Sequence, residues 1–181
     1  MTIRPKDPLL FAGRLLAVLM QVAMAIGAIA LLIAIPAVVL YHDRIIDTMA
    51  REVNDPAVAL PLYALIGIMS IGLAVVVLLF LFFDRLRRII ATVGEGDPFQ
   101  PQNAVRLNQM GWLMLTVQLL ALPAAVLVVP LMRAADKFED LHVAGTGKVD
   151  FGFLLLTIVL FILARVFRHG AAMRDELEGT V

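Results

Sequence analysis

The chain has no cysteine, which removes disulfides, thiolate metal ligands and cysteine nucleophiles together. Serine is nearly as scarce. Ser70 lies inside an apolar run and no Gly-x-Ser-x-Gly elbow surrounds it, so serine nucleophile chemistry has no starting point. Charge is thin: Asp, Glu, Lys and Arg make up 17% of the 181 residues, against about 25% in a soluble domain. The formal net charge is zero, so no basic field exists to draw in nucleic acid. Where charge is missing matters most. Hydrophobic residues form 61% of the chain and are gathered into four blocks that contain no Asp, Glu, Lys or His. Proton relays, paired intramembrane acids and bis-histidine haem within those blocks are thereby excluded.

What is present is membrane helix. A hydrocarbon core of about 30 Å takes about 20 helical residues to cross. The apolar runs at about 15–40, 57–83, 112–131 and 151–167 meet or approach that length, the last by letting Arg165 snorkel to the interface. The first run follows a basic N-terminus, yet it far exceeds the ~7–15 residues of a signal-peptide core, so it is expected to be retained. The fold class is therefore all-α, a four-helix transmembrane bundle forming one domain over 1–181. Gly67 and Gly72 would let helices approach closely, and the span amides Gln21 and Gln118 would hydrogen-bond between helices. Pro36, Pro61 and Pro123 fall inside spans or near their ends.

Orientation follows the basic residues. The N-terminus, the loop between spans two and three, and the C-terminus together carry ten Lys and Arg, and the other two loops carry five. Both termini and the central loop are expected in the cytoplasm.

That central loop is a polar island. Before it, Leu86, Ile89, Ile90 and Val93 fall on one helical face, with Arg85, Arg88 and Thr92 on the other, an amphipathic extension suited to the headgroup level. Gly94 is expected to end this helix. The turn Gly94-Glu95-Gly96-Asp97-Pro98 lacks the Lys-Ser/Thr ending of a phosphate loop. Phe99 would anchor it, Pro101 suits a first helical turn, and Trp112 suits an interfacial belt. The whole forms a cytoplasmic amphipathic elbow between helices 2 and 3.

Gly96, Pro98, Phe99, Asn103, Arg106, Leu107, Gly111 and Trp112 make the pattern G-x-P-F-x-x-x-N-x-x-R-L-x-x-x-G-W. With the tail Val166-Phe167-Arg168-His169-Gly170, Arg174, Glu176 and the closing Thr180-Val181, it resembles the bacterial membrane family catalogued as domain of unknown function 2975. The resemblance implies a four-helix, multi-pass protein of the bacterial inner membrane. Members of that family often accompany small helix-turn-helix regulators, which implies membrane-linked regulation. It carries no catalytic residues across.

His42, His142, Glu139 and Asp140 match no zinc spacing, so no metal, cofactor or enzymatic activity is expected. Arg85, Arg88 and Arg106 of the loop face the same interface as Asp175, Glu176 and Glu178 of the tail, so the two segments are expected to pair and present one surface. Its residues would be Pro98, Phe99, Asn103, Arg106, Leu107, Gly111 and Trp112 with Arg168, Gly170, Arg174 and Glu176. The expected partners are membrane lipid and a small cytoplasmic DNA-binding regulator, with no direct contact to nucleic acid. The alternative is a small homo-oligomeric transporter or channel subunit.

Overall fold

The helices run beyond the apolar segments, because leaving lipid does not by itself end a helix. A computed structural model of the chain describes residues 8–53, 61–135 and 151–178, which form α1 (Pro8–Val53), α2 (Leu62–Gly94), α3 (Pro101–Ala135) and α4 (Phe151–Glu178). Residues 57–60 of the second run, the basic Lys137 and Lys148, the acids Glu139 and Asp140, His142 and the closing Thr180-Val181 lie outside the described residues. All four helices are long and apolar enough to cross a membrane.

At 46 residues, α1 is about 69 Å long at 1.5 Å per residue. It begins at Pro8, where the missing N–H of a first-turn proline costs nothing. It then outruns its apolar segment, passing Asp43, Arg44 and Asp47 without interruption. Nothing in that stretch stops a helix, since residues 41–53 hold no proline or glycine. At the start of α2, the carbonyl of Pro61 accepts from the N–H of Ala64 at 2.9 Å and of Leu65 at 3.1 Å. Pro36, Pro123 and Pro130 sit within continuous helix.

The chain divides into two compact units. One comprises 26–76 and 118–149. In it Ala64 is fully buried and Val128 nearly so. A Cβ on Gly67 would come within 2.7 Å of Leu127 Cδ1, so α2 and α3 meet closely there and a larger residue would require Leu127 to shift. A Cβ on Gly72, expected to act likewise, would make only ordinary contact with Leu31 Cδ1, at 3.8 Å.

The other unit comprises 1–25, 77–117 and 150–181. Its core is Ile89, Leu107, Met110, Met114, Leu160 and Ala164, with Phe82, Leu86, Val93 and Phe167 packed against it. The face of α2 expected to rest on lipid is thus used for helix packing instead. Thr92 corrects the sequence reading too: it was placed with the arginines on the polar face, yet it is buried. Outside the cores the large apolar side chains are exposed, for example Leu32 at 58%, Val126 at 71% and Leu155 at 63%. So much uncovered hydrocarbon is untenable in water and ordinary in lipid.

Candidate functional site

The α2–α3 turn is a compact, specified structure. Asp97 N–H donates to Thr92 O at 3.2 Å, and Gly96 N–H donates to Val93 O at 3.1 Å. This pair of bonds is the Schellman arrangement, and it requires a left-handed residue just past the helix end. Gly96 supplies it with a φ of 87°. The terminating glycine is therefore Gly96; Gly94, expected in that role, is the last helical residue.

Asn103 is the hub beneath the turn and is fully buried. Its Nδ2 donates to Thr92 Oγ1 at 2.8 Å and to Pro98 O at 3.0 Å. Its Oδ1 accepts from Arg106 Nη1 at 2.9 Å. Thr92 has one hydroxyl proton, and the 2.8 Å contact to Ile89 O takes it, which leaves Oγ1 as an acceptor for Asn103. Every polar group in this knot has a partner, the condition under which a buried polar network rigidifies a fold. One amide side chain thus ties the end of α2, the turn and the start of α3 together.

The tail closes over the turn from α4. The Phe99 ring lies against Phe167, centroids 5.4 Å apart. A Cβ on Gly170 would stand 2.8 Å from Phe99 Cδ1, so glycine at 170 is what admits the ring. One turn further on, Arg174 pairs with Asp97. Both partners are partly exposed, so the pair contributes less than about 1 kcal/mol and chiefly sets register. This contact is not one of the pairs expected from the sequence, and of the tail acids in those pairs Asp175 and Glu178 have side chains outside the described ones. The tail provides the cation and the turn the anion, while Arg106 is engaged by Asn103 and by Gln102 at 3.2 Å. A second contact of the same design lies lower in this unit. Gly111 is buried under Phe161, whose Cε1 would be 2.8 Å from an added Cβ. Trp112 meets the same ring edge-on at 5.7 Å.

On the other side of the turn, Asp84 gathers three guanidinium groups: Arg88 Nε at 2.8 Å, Arg85 Nη1 at 2.9 Å and Arg87 Nη2 at 3.3 Å. Arg85 also donates through Nε to Gln109 Oε1 at 2.8 Å, linking α2 to α3. Between the two helices lies a shallow open pocket of about 260 Å³, lined by Arg85, Arg88, Gln102, Val105, Arg106 and Gln109.

Of the residues expected to form the surface, Asn103, Leu107 and Gly111 are buried and set its shape. Phe99, Trp112, Arg168, Arg174 and Glu176 are exposed, while Pro98, Arg106 and Gly170 are half-buried. Thr92 and Asp97 entered the sequence reading only as members of a polar face and a turn, and Asp84, Gln109 and Phe161 were not singled out by the sequence. Only Asp84, an acid ahead of Arg85, Arg87 and Arg88, carries a local signal that could have found it. Among the described residues no cluster of histidine and acidic side chains could hold a metal ion.

Four long apolar helices with lipid-type surfaces define an all-α, multi-pass membrane protein. Residues 44–181 match the family described as "Protein of unknown function (DUF2975)", and the chain belongs to that family. No curated protein and no solved structure matches it.

Proposed function

We propose that this protein is a membrane-linked regulatory protein of the bacterial inner membrane. In this reading both termini lie in the cytoplasm, with the turn and tail at the cytoplasmic end, and the ten-to-five distribution of Lys and Arg supports that orientation. There the amphipathic elbow and tail hold a small helix-turn-helix regulator. The observation that carries the reading is the locking of turn to tail by Phe99, Phe167 and Gly170. A fixed turn and tail leave His169 and Met173, at i and i+4 on α4, exposed side by side, with Met173 at 51% exposure. An adaptable apolar side chain among charges beyond an apolar run suits a protein partner better than lipid.

The test is co-purification of the tagged full chain with a helix-turn-helix protein encoded beside it. The pair is expected to co-purify, and His169→Glu with Met173→Asp should cut recovery at least about tenfold, the effect of losing roughly 1.4 kcal/mol of binding. Both positions are exposed, so the fold should survive. Failure to co-purify, or recovery unchanged in the variant, would overturn the reading.

A further inference from the structure

We infer that the pocket between α2 and α3 is a binding site for the phosphate of an anionic lipid headgroup. The chemistry of its lining points there. A guanidinium only donates hydrogen bonds, so the amide atoms that meet Arg85 and Arg106 have to be the oxygens of Gln109 and Gln102. Those contacts use the acceptor end of each glutamine and leave the Nε2 groups as donors. Asn103 Oδ1 is likewise taken by Arg106. Arg88 spends Nε on Asp84, and its side chain is 54% exposed. The polar lining therefore offers donors and positive charge to whatever enters. Asp84 offsets one of the three lining arginines, so the surplus stays positive.

A ligand has to bring several acceptor oxygens and negative charge, and the planar fork of arginine suits a phosphate better than any neutral group. Position selects the lipid as its source. Asp84 begins where the apolar run of α2 ends at Phe83, and Gln109 precedes the apolar run of α3 by one turn. This is headgroup depth for a spanning helix, and basic pockets between spanning helices are suited to anionic headgroups. Val105, Gln109, Trp112 and Thr116 are all exposed at helical spacing on α3. They form one continuous strip from the pocket towards the hydrocarbon, along which an acyl chain can lie. The inference is independent of the regulatory reading.

The full chain in neutral detergent is titrated with dioctanoyl phosphatidylglycerol, and in parallel with dioctanoyl phosphatidylcholine and inorganic phosphate, by calorimetry. Saturable binding of one phosphatidylglycerol per chain is expected, with both other titrants far weaker. Arg88→Gln and Arg106→Gln should each weaken it about fivefold or more, the loss of one arginine at a lipid surface. Arg87→Gln is the control, because Arg87 carries the same charge on the same helix and does not line the pocket. It should change affinity less than twofold. Arg88 is mostly exposed, so its variant tests the site even if Arg106→Gln fails to fold. Three results would overturn the inference: no saturable binding, equal weakening by Arg87→Gln and Arg88→Gln, or inorganic phosphate binding as tightly as the lipid.

Discussion

Replacing Asn103 by leucine is expected to destabilise the protein by about 3 kcal/mol, the order expected when buried polar partners lose their hydrogen bonds. The change strands Pro98 O, deprives Arg106 of one acceptor and removes the donor that Thr92 Oγ1 accepts. Leucine keeps the number and branching of the side-chain heavy atoms, so no cavity opens and the loss is chiefly in hydrogen bonding. Thr92→Val removes one member of the same knot and should cost less, because its hydroxyl proton is used within α2. The double variant should be less destabilised than the sum of the singles, since each single change orphans what the other removes. Reversible unfolding in mixed micelles measures all three. Strict additivity would mean that Thr92 and Asn103 are not coupled.

The second large effect concerns the tail. Gly170→Leu is expected to cost about 2 kcal/mol, within the usual range for overpacking a filled contact. Its side chain must enter the space held by the Phe99 ring. Phe99→Ala empties that space, so Phe99→Ala with Gly170→Leu should recover at least half of the stability lost by Gly170→Leu alone. Unfolding of the same micellar preparation reads the recovery. If the double variant is worse than either single change, the ring does not lie on Gly170.

The sequence carried the membrane architecture because hydrocarbon thickness imposes a length and polarity signal on each span that needs no tertiary knowledge. The same signal is blind to helix ends. Residues 41–53 of α1 remain helical past the apolar run, since leaving lipid does not end a helix and the stretch holds no proline or glycine. Asn103, Gly111 and Gly170 were legible as motif positions, but their reasons were not. Thr92 lies on another helix, and Phe99 and Phe161 approach their glycines only through tertiary packing. Gly94 and Gly96 were indistinguishable as terminators until backbone geometry put the positive φ at Gly96. The pairing of Arg174 with Asp97 was illegible for a related reason. Several acids and arginines flank one interface, and composition does not choose among them, so Arg174 with Asp97 looked no better than Arg106 with Glu176.

The most direct test is a cross-link between turn and tail in the native membrane. The chain contains no cysteine, so Phe99→Cys with Gly170→Cys introduces the only two thiols. Phe99 Cγ lies 3.6 Å from the place of a Gly170 Cβ, which puts the two Cβ atoms close to the 3.5–4.5 Å a disulfide spans. Mild oxidation of membranes containing the double variant should give a rapid, near-complete intramolecular disulfide, reversed by reductant and absent from either single variant. Thiols that stay free under oxidation, or that link only between chains, would contradict a turn and tail packed as one element.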